Sequence, residues 1–338
     1  MRALSCQSPG QFEYLDMARP ASAQGRAIIK IRRVGICGTD LHAFHGSQPF
    51  FDYPRILGHE LAGDLVDATG TNDYAPGQKV TIIPYFSCGA CVACRRRKPN
   101  CCVQIRVCGV HIDGGMAEYL SVPITALVDG RDFTYDELAL AEPFAIGAHA
   151  IRRAVIEEGE QVLVVGAGPI GLAAMEFARI AGASVIAMDL NESRLEFCAK
   201  RMGIKNVINP ATSIVLDDLR EFTNGDMPTL VIDATGNQQA INNGLNWLAH
   251  GGRYILLGLQ KNELIFNHPE FHKRETTLMT SRNATLADFE QVLACMRDRI
   301  IDPAKFITHR SSFESLAEKF PTWLDPLSKT IKAVVELD

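Results

Sequence analysis

Cysteine is the first residue type whose spacing suggests chemistry. Cys88-Gly-Ala-Cys91-Val-Ala-Cys94 is followed by Cys101-Cys102. Thiols at i, i+3 and i+6, with another one short loop later, can surround a tetrahedral ion, and a closed structural zinc site takes four thiolates. Cys101 and Cys102 both stand where a fourth ligand is wanted, and chemistry alone does not choose between them. Arg95, Arg96, Arg97 and Lys98 lie inside the loop. Positive charge there keeps thiolates ionised and offsets their charge, so this basic run reads as a solvated, compensating loop and not as a nucleic-acid patch. Cys6, Cys108, Cys198 and Cys295 read as small apolar residues.

A second constellation combines Gly35-Ile-Cys37-Gly-Thr39-Asp40-Leu-His42, Gly58-His59-Glu60 and Glu142-Pro143. Cys, His and Glu all ligate zinc, and three protein ligands plus one open position define a catalytic site. At that position a hydroxyl can be polarised. A His-Glu pair on a turn is also ordinary surface chemistry, and the residues alone leave both readings open.

The third constellation is Gly166-Ala-Gly168-Pro169-Ile170-Gly171, directly after the apolar run Gln161–Val165 and opening a helical pattern. This strand–turn–helix setting is what a dinucleotide fingerprint requires. Gly166 permits the tight turn, Gly168 the approach of a pyrophosphate, and Gly171 close helix–strand packing. The first turn of the helix, with Pro169 and Ile170, offers free N–H groups to the phosphates. Asp189 closes the next strand, where a carboxylate accepts from the ribose hydroxyls and repels a 2′-phosphate, favouring NAD over NADP. Arg194 is five residues on. It can either receive that phosphate or stack over adenine. Thr235, just past the strand Leu230–Asp233, is counted with the cofactor contacts.

Elements of two kinds must hold these groups. Up to about residue 145 the chain shows short β-type runs between turn residues, such as Arg26–Gly38 and Gln78–Phe86, which predicts an irregular β domain. From Gln161 apolar strands alternate with helices. Strands are expected at Gln161–Val165, Ala183–Asp189, Asn206–Ile208, Leu230–Asp233, Gly252–Leu257 and Thr277–Thr280, and helices at Ile170–Ala181 and Ser193–Met202. That alternation means a parallel sheet covered on both faces. A helix over Leu286–Met296 and a last strand over Ile331–Glu336 suggest a return to the first domain near Ser281.

Composition narrows the setting. The 338 residues are 47% hydrophobic and 22% charged, with a net charge of −5 and ten cysteines. These are globular proportions. The negative balance argues against nucleic acid or an anionic membrane as partner. No apolar run approaches the roughly 20 residues of a membrane span. The first residues lack a basic stretch followed by an apolar core. A cytoplasmic protein without a disulfide framework is therefore expected.

The whole chain resembles the zinc-dependent medium-chain dehydrogenase/reductase family. The likeness rests on the order GICGTDLH, GHE, CxxCxxCx7C, DGGMAEYL, EP and GAGPIG. It implies an α/β fold: a GroES-like β-rich catalytic domain, residues 1–144 rejoined by 281–338, and a Rossmann doubly wound parallel-sheet domain, residues 145–280. It implies a catalytic zinc at Cys37 and His59, and a structural zinc at Cys88, Cys91, Cys94 and Cys102, which leaves Cys101 spare. Simple alcohol dehydrogenases carry cysteine where this chain has Glu142, whereas the polyol and sugar-acid branch carries glutamate and can use the GHE glutamate. Cys37, His59 and Glu60 are the expected resting ligands, with Glu142 a ligand or one water removed. Thr39 and His42 match a proton relay from substrate to solvent, and histidine suits its exit because it titrates near neutrality.

Arg282 falls where polyol dehydrogenases turn an arginine toward the substrate, and guanidinium can grip a carboxylate bidentately. Asn283 and His111 are further candidates for substrate contact. The expected reaction is hydride transfer between a secondary alcohol of a polyol or sugar acid, such as a hexonate, and NAD. An amino-alcohol substrate, as in L-threonine 3-dehydrogenases, is the nearest alternative. A zinc-free quinone reductase would need neither metal set, and a non-catalytic NAD-binding protein would need no relay. Family members are usually homodimers or homotetramers, with the last sheet strands, here within Leu245–Leu259, extended across a dimer.

Overall fold

The computed structural model describes residues 1–48 and 51–338. The chain forms two units, Met1–Glu142 with Ala284–Asp338, and Pro143–Asn283. These limits fall a few residues from the junctions expected at 144/145 and 280/281. The first junction lies inside one continuous helix, Ala141–Ala154.

The first unit is built on a mixed sheet in which Leu127–Asp129, Lys79–Ile82, Glu60–Thr69, Arg26–Ile36, Lys332–Glu336 and Ile307–Ser312 lie side by side, with Tyr119–Pro123 also pairing on Arg26–Ile36. The expected run Gln78–Phe86 is broken, because Pro84 separates Lys79–Ile82 from Tyr85–Phe86 and proline cannot donate to a ladder. Two registers matter for the chemistry. Gly35 lies opposite Glu60, and Ala333 lies opposite Ile36 on the other side of the same strand. The C-terminal strand thus lies next to the strand that leads into Cys37. Inward apolar side chains such as Leu4, Ile29, Ile31, Leu61, Leu65 and Val335 form the core of this unit.

The second unit is a six-stranded parallel sheet in the order Asn206–Ile208, Ser184–Met188, Gln161–Val165, Leu230–Asp233, Arg253–Leu256, Thr277–Thr280. The strands Gln161–Val165, Ser184–Met188, Leu230–Asp233 and Arg253–Leu256 are mostly buried, as a sheet covered on both faces demands. The strand within Leu245–Leu259 does not lie at the edge. Arg253–Leu256 pairs on both sides, and Thr277–Thr280 is the edge strand. The apolar run Tyr254–Leu256 is buried, which suits a position between two strands.

The fingerprint turn joins Gln161–Val165 to the helix Pro169–Ile180. Gly166 has φ +97°, a conformation that favours glycine. A Cβ on Gly171 would overlap the Gly166 carbonyl oxygen. Gly171→Ala is therefore expected to cost about 1–3 kcal/mol, as overpacking against rigid backbone does. Denaturant titration should show a lower midpoint, and an unchanged midpoint would contradict the close-packing role.

Candidate functional site

Cys37 ends the turn after Arg26–Ile36 and caps the helix Gly38–His45. Glu60 begins the neighbouring strand Glu60–Thr69 and His59 directly precedes it, after a turn at Gly58 with φ +92°. Ligand atoms of Cys37, His59 and Glu60 all lie within 4.8 Å of one another. His59 and Glu60 are buried and Cys37 is half-buried. Asp40, which the motif contains but which local spacing does not single out, ties the two turns together. Its Oδ2 accepts the Cys37 N–H at 2.9 Å and its Oδ1 the Gly58 N–H at 3.1 Å. The same Oδ1 stands 3.7 Å from His59 Nδ1. A carboxylate behind a ligand histidine fixes ring orientation and tautomer.

Glu142, at the start of the helix Ala141–Ala154, is also buried. It does not join the compact trio. Its Oε1 accepts from the Tyr85 hydroxyl, and its Oε2 is buried with no hydrogen-bond partner. His59 Nδ1 is likewise buried without a hydrogen-bond partner. Burial pushes Glu142 up to about 7; His59 and the Tyr85 bond act against the rise, and nearby Glu60 adds to it. For His59 burial disfavours the charged ring, but Asp40, Cys37 and Glu142 outweigh it and hold the pKa well above the usual value. Anionic donors are gathered here with too little positive charge. A soft thiolate, an imidazole and hard carboxylates together form a donor set that fits zinc.

Lys332 was invisible to motif reading. It is 2% exposed, on the last strand, and its Nζ donates to both Glu60 oxygens at 2.6 and 2.7 Å. Tyr85 and Ser47 were missed too. Ser47 Oγ is 3.1 Å from His42 Nδ1. His42 is exposed and Thr39 half-buried, and both lie on the helix Gly38–His45.

The cysteine lobe brings Cys88, Cys91, Cys94 and Cys102 together, with sulfurs inside 4.8 Å of one another. Backbone N–H groups point at the sulfurs: Cys88 N and Gln104 N donate to Cys102 Sγ at 3.3 and 3.4 Å, and Cys91 N donates to Cys88 Sγ at 3.4 Å. Backbone N–H bonds from Cys94 and Val103 lower the Cys91 thiol to about 6. Cys101 is exposed and outside the cluster, and Arg95, Arg96, Arg97 and Lys98 are exposed.

In the second unit Asp189 holds the fingerprint turn. Its Oδ2 accepts the Ala167 N–H at 2.6 Å and its Oδ1 the Asn191 N–H at 2.8 Å. Arg194 Nη1 lies 3.8 Å from Asp189. A Cβ on Gly168 would meet only Arg194 Nη1, at 3.9 Å, so the backbone there faces open space of the kind a pyrophosphate takes. Pro169 and Ile170 start the helix above it. Thr235 N and Oγ1 donate to Asp233 Oδ1 at 3.0 and 2.9 Å.

The expected substrate contacts are more scattered. His111 Nδ1 accepts the Val107 N–H at 3.0 Å, which ties the ring to its own loop. Arg282 is exposed just past the edge strand, and Asn283 follows with φ +54°.

Residues 23–132 match the alcohol dehydrogenase GroES-like domain family, and residues 169–298 match the zinc-binding dehydrogenase family. The chain is 46% identical to L-galactonate-5-dehydrogenase of Escherichia coli K12 over 99% of its own length and 98% of that protein's. The chain belongs to the zinc-binding alcohol dehydrogenase family. It is an oxidoreductase of GroES-like and Rossmann parts. A sorbitol dehydrogenase of Bacillus subtilis is 28% identical over 99% of this chain and 97% of its own. The crystal structure of an E. coli CFT073 alcohol dehydrogenase complexed with NADH superposes with a TM-score of 0.92, at 29% identity, covering 100% and 99% of the two chains. No helix among the described residues of this dehydrogenase is long and apolar enough to cross a membrane.

The lobe geometry separates two adjacent cysteines. Cys102→Ser should lower tightly held zinc by one equivalent per chain in elemental analysis, while Cys101→Ser leaves it unchanged. The reverse pattern would put the wrong thiol on the metal.

Proposed function

We propose that the chain is a zinc-dependent dehydrogenase that oxidises a secondary hydroxyl of a sugar acid, a hexonate, with NAD as acceptor. The observation that carries this reading is the donor cluster Cys37, His59 and Glu60, with the buried carboxylate of Glu142 as a further candidate, in a chain 46% identical to an L-galactonate-5-dehydrogenase. Carboxylates in place of a further thiolate make a harder, more exchangeable site, suited to a polyhydroxylated substrate. Zinc held there would supply Lewis-acid polarisation of the substrate hydroxyl, and NAD would supply the hydride acceptor.

The chain's own residues do the rest. Cys37, His59 and Glu60 hold the metal, with Glu142 the neighbouring carboxylate. Asp40 positions Cys37 and His59 through the two turns it bridges. The proton lost from the hydroxyl leaves by way of Thr39 and His42, whose Nδ1 is oriented by Ser47. Cys88, Cys91, Cys94 and Cys102 hold a structural zinc. Gly166, Gly168, Pro169, Ile170 and Gly171 seat the pyrophosphate, while Asp189 faces the ribose, Arg194 lies beside the adenosine end, and Thr235 lines the cofactor site. An Asp at this place favours NAD over NADP. Arg282 recognises the substrate carboxylate, and Asn283 and His111 add polar contacts.

The unit Met1–Glu142 with Ala284–Asp338 is the catalytic domain, and Pro143–Asn283 is the cofactor domain. We also propose a cytoplasmic homodimer or homotetramer, joined through the edge strand Thr277–Thr280, whose outer side has no partner strand among the described residues.

A panel of aldonates, neutral polyols and L-threonine, followed by NADH absorbance, tests the substrate class. Aldonates should be preferred. Arg282→Ala should cut kcat/KM for them by about tenfold or more, the worth of a charged hydrogen bond, and leave neutral polyols nearly unaffected. Equal rates on aldonates and polyols, insensitive to Arg282→Ala, would remove the sugar-acid reading, and preference for L-threonine would replace it.

A further inference from the structure

The short helix His268–Lys273 of the unit Pro143–Asn283 carries two histidines four positions apart. Residues at i and i+4 share one face of a helix. His268 and His272 do so here, with ring centroids 6.1 Å apart and both residues exposed. The charged neighbours on the helix are occupied with each other, because Glu270 takes Lys273 at 3.7 Å and Arg274 at 3.6 Å. Among the described residues neither imidazole has a hydrogen bond or an ion pair.

The helix is short but firmly placed. Asn267 caps it, with Oδ1 accepting the Glu270 N–H at 3.3 Å. Pro269 stands in the first turn, where its missing N–H costs no intrahelical bond. Phe271 packs on the core of this unit, and the Phe266 ring lies 6.5 Å from it. These anchors fix the helix on its sheet and leave the histidine face outward.

An imidazole nitrogen stands about 2.0–2.1 Å from a bound cation, so two rings that share one ion have centroids about 4.5–6 Å apart. A small inward turn of two exposed rings reaches that range. Carrying both donors on one helix makes the second metal bond intramolecular, which strengthens binding over a single histidine by about a hundredfold. Among the described residues no third histidine, cysteine or carboxylate completes the group. Two nitrogens with water in the remaining positions form a tetragonal N,O set, which suits Ni(II) and Cu(II). We propose that His268 and His272 form a surface chelate for a borderline divalent cation, with Cu(II) bound most tightly and Ni(II) and Zn(II) less so. It belongs to the parallel-sheet unit, whereas Cys37, His59 and Glu60 and the four clustered cysteines belong to the other unit. Loading it therefore requires no exchange at either of those donor sets.

Calorimetric titration of the zinc-loaded enzyme with Ni(II), with released zinc measured in the same samples, tests this. The paramagnetic resonance spectrum at half an equivalent of Cu(II) is a second readout. One Ni(II) per chain should bind without zinc release, and the copper spectrum should show two coordinated nitrogens. His268→Ala and His272→Ala should each weaken Ni(II) binding by about a hundredfold and remove the two-nitrogen signature. Both variants should keep wild-type zinc content and NADH formation. His45→Ala, which removes an exposed histidine of the helix Gly38–His45, should leave Ni(II) binding unchanged. Equal Ni(II) affinity in wild type and both variants overturns the proposal. So does loss of binding with His45→Ala instead, uptake of Ni(II) only as zinc leaves, or wild-type protein that binds no Ni(II).

Discussion

Burying several anionic donors in one β-rich domain is the constraint on which the rest of the site depends. Glu60 and Glu142 are essentially inaccessible, and the Cys37 sulfur stands beside Glu60. An unpaired buried carboxylate is strongly unfavourable, and removing one partner of a buried pair typically costs about 3–5 kcal/mol. The domain answers with one built-in cation, Lys332, and with a donor geometry that fits a second, divalent one. Tyr85 serves Glu142 in the same way that Lys332 serves Glu60, but without charge. Two chemically identical side chains thus have different partners.

The backbone follows from that constraint. The C-terminal strand must lie against Arg26–Ile36 so that Lys332 reaches the site. Gly35 must lack a side chain so that Glu60 can pass, and Gly58 takes a left-handed turn to deliver His59. Asp40 then locks the Cys37 and His59 turns to each other. A chain that leaves the β-rich unit, forms the parallel-sheet unit and returns thus brings Lys332 back to Glu60.

What the sequence made legible was what is local. The cysteine lobe could be read because its thiols are close in the chain, and Cys102 could be told from Cys101 once the family resemblance was recognised. The glycine turn could be read because a strand, three glycines and a helix start occupy one short stretch. Nothing near Lys332 in the sequence points to Glu60, which is 272 positions away, and an isolated lysine in a terminal strand resembles any surface charge. Tyr85 similarly looked like part of an unbroken strand, until Pro84 and the fold turned its hydroxyl to Glu142. The edge of the sheet is not legible for a related reason. Apolar periodicity marks Arg253–Leu256 as a strand, but strand order is a property of the sheet, and the edge belongs to Thr277–Thr280.

Two donor sets in one β-rich unit would hold metals with separate duties, Cys88, Cys91, Cys94 and Cys102 an ion that holds the lobe, and Cys37, His59 and Glu60 an ion that acts on substrate. Graded chelation of the holoenzyme tests this most directly, with zinc per chain, aldonate-dependent NADH formation and far-ultraviolet circular dichroism followed on the same samples. Two zinc ions are expected, with activity lost in step with the first to leave while the circular dichroism stays unchanged. Full activity after that ion has gone, or a single zinc whose loss unfolds the protein and ends activity together, would contradict it.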